Sequence, residues 1–167
     1  MQEHIQNELA SFIANCDWEK IAPHFKEDAA YRVLDWVGCA VAGEHYPQVE
    51  IAQKYFIENG DQGNCTVIGH QIKCSPRTAA FLNGIAGHVC ELDDGHRTAI
   101  GHPGSIAVPT ALALGEHLNA SGADVLKAVI LGYEVFSRLG RTVNPSHYRT
   151  WHTTGTCGTI AAAAAAA

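Results

Sequence analysis

Residues 91–105, ELDDGHRTAIGHPGS, place Glu91, Asp93, Asp94, His96 and His102 within twelve positions, with Gly101, Pro103 and Gly104 breaking up the second half. Packing alone does not select such a run, since charged side chains are seldom buried without partners. A histidine titrates near neutral pH, and beside a carboxylate it can take up and return a proton. If a helix starts at Gly104-Ser105, its first N–H groups and its dipole favour an anion there. A second stretch, YRTWHTTGT at 148–156, repeats the order. Arg149-Thr150 and His152 parallel Arg97-Thr98 and His102, again ahead of glycine, small hydroxyl residues and an apolar run. Two such loops can converge on one negatively charged ligand.

Three chemistries fit these residue types. The first is acid–base catalysis on a carboxylate substrate, with a His or Arg and a helix N-terminus stabilising an enolate-like intermediate. The second is metal ligation, since Glu, Asp and His are hard or borderline ligands, although the spacing matches neither H-E-x-x-H nor an EF-hand loop. The third is structural, with solvated loop acids and a hydrogen-bonded core histidine. The first accounts for the whole cluster and is the expectation carried forward.

The elements that must position these residues read as almost all helix. Apolar spacing predicts helices over Glu3–Ala14, Asp28–Ala42 with Gly43 as the stop, and Pro47 to Asn59-Gly60. Cys65–Ile68 is short and β-branched, and reads as one small β-hairpin or extended arm. Ser75-Pro76 is an N-cap and first helical residue, opening a helix that should reach Glu91 and deliver the acids at its end. Ser105–Leu118 follows, with Pro109 in its first turns. Ser121 caps the next helix, residues 143–154 form a loop, and Gly155 onward has high helix propensity. The glycines of LNGIAGH, Gly84 and Gly87, are expected to allow close helix packing. The final alanine run has no cap and no stop, so the chain is expected to be a single helical domain, 1–167, from the N-terminal part of something longer.

Composition narrows the class. The chain has 167 residues, 47% of them hydrophobic and 17% charged, which suits one globular domain with a real core. A formal net charge of −6 argues against a nucleic-acid partner. No apolar stretch reaches the about 18 residues that a membrane helix needs. The start, MQEHIQNELASF, lacks the basic and apolar regions of a signal peptide. None of the six cysteines forms a C-x-x-C pair, so reduced thiols and a cytoplasmic location are expected.

At these residues the sequence resembles the MmgE/PrpD family. GHVCELDDGHRTAIGHPGSIAVPTALALGE is similar to its acidic and His-Pro segment, and WHTTGTCGTIAAAAAAA to its later histidine block. DAAYRVLDWVGCAVAG, FLNGIAGH and SGADVLKAVILGYEVFSRLGR resemble its helices. The resemblance covers nearly the whole chain. It implies an incomplete all-α helical domain, with the inserted lid domain and the catalytic lysines lying beyond residue 167. It also implies a homodimer that needs neither metal nor cofactor and acts on a di- or tricarboxylate, moving a proton at a carbon next to a carboxylate.

Carried over residue by residue, the resemblance makes Asp93, His102 and His152 catalytic. His102 or His152 moves the proton, and Asp93 or Asp94 positions the histidine or a substrate hydroxyl. Together with the residue reading of the two loops and the helix start, Glu91, Asp94, His96, Arg97, Thr98, Gly104, Ser105, Trp151 and Thr153 are the expected substrate-binding set. Trp151 either walls the pocket or anchors its loop. Gly95 stands where the family's decarboxylase branch has a threonine, and one extra residue precedes His102. Both departures turn the expected reaction toward dehydration of a 2-methylcitrate-like acid, with decarboxylation or epimerisation as alternatives. A non-enzymatic helical interaction domain is the rival from another class.

Overall fold

The computed structural model describes residues 2–167, and side chains from His4 onward. Its seven α-helices are α1 (Gln2–Ala14), α2 (Pro23–Gly43), α3 (Pro47–Glu58), α4 (Pro76–His88), α5 (Gly104–Leu118), α6 (Gly122–Val143) and α7 (Thr153–Ala166). Single 3-10 turns at Trp18–Lys20 and His147–Arg149 lie between helices. β1 (Cys65–Thr66) and β2 (Lys73–Cys74) form one antiparallel hairpin with Cys65 opposite Cys74. The expected class, mainly helical with one short hairpin, is what the chain adopts. No helix among the described residues is long and apolar enough to cross a membrane. The six cysteines are free, with Cys39, Cys65, Cys74 and Cys157 buried.

α5 is the central helix. It is apolar on nearly every side, and a helix of that kind belongs inside. Ala107, Val108, Ala111 and Ala113 are buried on it, and it packs against α4, α6 and α7. Small residues let the helices approach closely. A Cβ added at Gly43 would meet the Ala86 carbonyl oxygen at 2.0 Å, where α2 crosses α4. One added at Gly87 would meet the Trp36 indole nitrogen at 2.4 Å, and one at Gly84 the Ser105 carbonyl at 3.3 Å, so both glycines serve close packing as expected. One core cluster centres on Trp36, Val49, Val108 and Val129, and a second on Ala99, Phe136, Cys157 and Ala161. The second cluster lies beneath the histidine-bearing loops.

The structure shifts several expected boundaries. α2 begins at Pro23 rather than Asp28, with proline at its first position and no side-chain cap. α4 ends at His88 rather than Glu91. The Glu91 N–H bonds the His88 carbonyl at 2.8 Å, and Glu91 turns left-handed at φ 50°. A helix continued through Glu91, Asp93 and Asp94 would gather three carboxylates at the negative end of its dipole. Glu91 and Asp94 therefore do not share a helix face. α7 begins at Thr153, two residues before Gly155. Pro109 is sixth in α5, within its first two turns as expected. Its missing N–H leaves the Ser105 carbonyl without that helical donor, and this is the carbonyl against which Gly84 packs.

Candidate active site

The link from α4 to α5 carries the acidic stretch and folds back so that both ends meet. Asp93 is its hub, with no side-chain exposure. A carboxylate so placed needs donors, because an unpaired buried charge costs several kcal/mol. The Nδ1 of His88 lies 3.0 Å from Asp93 Oδ1 and 3.1 Å from Oδ2. Ser105, in the first turn of α5, donates its hydroxyl to Oδ2 in a very short bond. His102 Nδ1 lies 3.4 Å from the same Oδ2. That contact falls short of a hydrogen bond, and Nδ1 is a buried nitrogen without a partner. The rings of His88 and His102 meet edge to face at 4.8 Å.

Asp94 points the other way. Its Oδ1 accepts the Gly104 N–H at 3.1 Å, and its Oδ2 accepts from Arg32 at 2.8 Å and the Tyr133 hydroxyl at 3.0 Å. The anion at the start of α5 is thus the protein's own Asp94, not a ligand, which corrects the expectation of a free Gly104 amide. Burial, then the charge and hydrogen bond of Asp94, push the Tyr133 phenol far up, so it stays a donor at any physiological pH. Burial alone would lower the Arg32 pKa, but the hydrogen bond and charge of Asp28, joined by the charge of Asp94, outweigh it and raise the value.

Residues 96–101 form a closed loop. The His96 N–H bonds the Gly101 carbonyl and the Ile100 N–H bonds the His96 carbonyl, both at 2.8 Å. His96 Nδ1 accepts the Ala99 N–H at 3.1 Å, so that nitrogen carries no proton. The two histidine loops do converge. The His102 N–H donates to Thr154 Oγ1 at 3.1 Å, and a Cβ on Gly101 would meet the same hydroxyl at 3.0 Å. Thr153, expected to bind substrate, is instead buried, its hydroxyl bonded to Asn144 at 3.0 Å. His152 and Trp151 are exposed, as are Glu91, Arg97 and Thr98.

Two cavities flank the 93–105 segment. One, of about 600 Å³, runs between α4, α5 and α7 and is lined by His88, Ser105 and Thr154 with Ile85, Ile106 and Pro109. The other, of about 460 Å³, lies toward α2 and α6 and takes Arg32, Asp94, His96, Arg97 and Thr98. The substrate-binding residues expected from sequence are therefore divided between two faces. His88 and Ser105, the two hydrogen-bond partners of Asp93, line the first.

This arrangement can hold and move a proton. A buried carboxylate faces a histidine whose inward nitrogen has no other partner, so a proton taken up by His102 would be met by a charge 3.4 Å away. His88, Asp93 and His102 also place three ligand-type atoms within 4.8 Å of one another. Two atoms on a tetrahedral zinc lie about 3.3–3.6 Å apart, given bonds of about 2.0–2.2 Å. The His88–Asp93 spacing of 3.0 Å is that of a hydrogen bond instead. His88, Arg32, Tyr133 and Thr154 were not expected at the site. Each lies in a stretch that carries the family resemblance, with Thr154 two residues after His152 in the repeated motif, but none had been given a role.

Comparison with known proteins places the chain. Residues 7–167 match the MmgE/PrpD N-terminal domain. A cis-aconitate decarboxylase-like protein, oryM, from Aspergillus oryzae is 32% identical over 97% of this chain and 36% of its own length. The cis-aconitate decarboxylase of Aspergillus terreus is 32% identical over 98% of this chain and 34% of its own length. The human cis-aconitate decarboxylase is 34% identical over 80% of this chain and 29% of its own length. The chain spans about a third of the length of these relatives. With the matched region covering all the elements that build the site, this chain belongs to the MmgE/PrpD family.

Proposed function

We propose that the protein, in its longest encoded form, is a lyase that transfers a proton at a carbon next to a carboxylate of a small di- or tricarboxylate. The observation that carries this is the buried Asp93 carboxylate facing the unpartnered Nδ1 of His102 at 3.4 Å. The names of the relatives favour loss of carbon dioxide from an acid such as cis-aconitate. When the departing carboxylate leaves as carbon dioxide, its bonding pair is delocalised on the carbon framework, and protonated His102 returns a proton to carbon. Asp93 stabilises the charged ring beforehand and holds its orientation. His152, on the loop that meets His102, is the second candidate to carry the proton. Arg97, His96 and Thr98 line the second cavity, across the 93–105 segment, and are the candidates to bind a carboxylate there.

Dehydration is the second reading, and Gly95 in place of the decarboxylase branch's threonine favours it. Neutral His102 would then remove the proton, and water would leave from the neighbouring carbon. The family resemblance supports a homodimer with a lid and lysines supplied by sequence beyond residue 167, and the six free cysteines fit a cytoplasmic location.

The test is NMR of the longest encoded form in D2O with cis-aconitate, 2-methylcitrate and other di- and tricarboxylates. Deuterium next to a carboxylate with release of carbon dioxide supports decarboxylation, and release of water supports dehydration. His102→Ala should cut turnover about a hundredfold or more, as loss of a general acid or base does. Turnover of that variant within a few-fold of the parent removes the role. No exchange from any acid would turn the reading to a helical interaction domain.

A further inference from the structure

We propose that His88 is a positioning residue for proton transfer at His102, acting through the Asp93 carboxylate that the two histidines share. The inference rests on the reading of His102 given above. One carboxylate serves two imidazoles. His88 spans both Asp93 oxygens at 3.0 and 3.1 Å, while His102 waits 3.4 Å from Oδ2 with its Nδ1 otherwise unpartnered. Ser105 fixes the same oxygen from α5.

His88 also differs from the other two in its support. It is the last residue of α4, whereas Asp93 and His102 lie on the connection between helices. Side chains on helices hold their place better than side chains on loops. His88 thus ties the loop-borne half of the site to a helix that is itself locked, one residue earlier, where Gly87 packs on Trp36. An imidazole contributes the one N–H that can bridge the Asp93 oxygens.

Without His88, Asp93 keeps only its bond from Ser105 and can turn further toward His102. Two consequences follow. The His102 ring leaves its orientation toward substrate, and an undivided carboxylate charge holds its proton more firmly. His88→Asn keeps an N–H donor near the Nδ1 position and removes only the ring, so it should preserve the arrangement.

The experiment compares His88→Ala and His88→Asn with the parent in the longest encoded form. It measures turnover of cis-aconitate and 2-methylcitrate, melting temperature, bound metal by mass spectrometry, and carbethoxylation of His102 by diethyl pyrocarbonate at neutral pH. His88→Ala should lower kcat roughly 10- to 100-fold with KM within about twofold, the size of effect a misplacement of about 1 Å produces. His102 should be carbethoxylated several-fold more slowly in that variant, and His88→Asn should recover both measures. Several results overturn the proposal: an unchanged kcat in His88→Ala, a loss confined to KM, an Asn variant that melts normally yet matches Ala, or stoichiometric metal in the parent. If the parent turns over neither acid, the functional reading fails. His102 carbethoxylation alone then decides whether His88 governs His102, and an unchanged rate in His88→Ala refutes it.

Discussion

Asp93 and Asp94 are chain neighbours with opposite duties. Asp93 gives its oxygens to His88 and Ser105, and leaves room for His102. Asp94 has three donors already and joins α2, α6 and the start of α5. Its assignment to substrate binding therefore competes with a structural duty. Asp94→Ala would strip Arg32 of one of its two acidic partners and leave the Tyr133 hydroxyl unpaired. Removing one member of a fully buried pair costs about 3–5 kcal/mol, and the 40% exposure of the Arg32 side chain reduces that to about 2 kcal/mol. The expected outcome is a melting temperature lowered by several degrees with KM almost unchanged. A variant that melts normally while KM rises tenfold would restore Asp94 to the substrate. At this scale the sequence made Asp93, His102 and the pairing of the two histidine loops legible, because residue type and order survive without coordinates. The role of His88 was not legible. It opens the family-like acidic stretch but ends a glycine-containing helix that reads as packing, and only the chain reversal after Val89 brings it to Asp93.

Among the elements, the β-hairpin is the least self-sufficient. Two residue pairs cannot hold an isolated hairpin in water, and this one is fastened to α5 by Glu116. That carboxylate accepts from the Thr66 N–H at 2.5 Å, the Thr66 hydroxyl at 2.7 Å and Lys73 Nζ at 2.5 Å. Burial alone would raise the Glu116 pKa, but the hydrogen bonds from Lys73 and Thr66, with the Lys73 charge, bring it below the ordinary value. An acid held lower in the folded state adds stability that is fully present above the ordinary glutamate pKa of about 4.3. That stability is lost as pH falls through the lower, folded value. Glu116→Gln should therefore melt below the parent at pH 7, and the two curves should meet under acid conditions. A constant gap at every pH would mean that the amide loses shape complementarity rather than charge. The helices were legible from their apolar spacing and from Ser75 and Ser121 as caps. The start of α2 was not, because Pro23 opens it within a polar stretch whose neighbour, Ala22, offers no side-chain cap. The end of α4 was missed because tertiary bonding of Asp93 and Asp94, invisible to local pattern, draws the chain out of the helix.

On the scale of the whole molecule, the distribution of apolar surface is uneven. Tyr31, Leu34 and Val41 repeat along α2 at helical spacing and are 63%, 68% and 50% exposed. On α3, Ile51 and Tyr55 are 70% and 61% exposed and four residues apart, so they share a face. Scattered exposed apolar residues are ordinary, but stripes at helical spacing on two consecutive helices mark surfaces that something covers. The relatives are about three times as long as the matched region, and their remaining sequence is one source of such a cover. The apolar periodicity of α2 was visible in the sequence. Which of its faces turns inward was not, since that depends on the crossing with α4 through Gly43 and Ala86. Leu34→Asp in the longest encoded form separates the possibilities. If Leu34 is covered there, the new carboxylate loses its water without gaining a partner. The variant should then be destabilised by about 3 kcal/mol or more, with a melting temperature several degrees lower and poorer recovery of soluble protein. If Leu34 faces solvent in that form as it does in this chain, the change stays within about 0.5 kcal/mol. The α2 stripe would then be an open surface in the complete protein, and the extra sequence of the longer form would have to pack elsewhere.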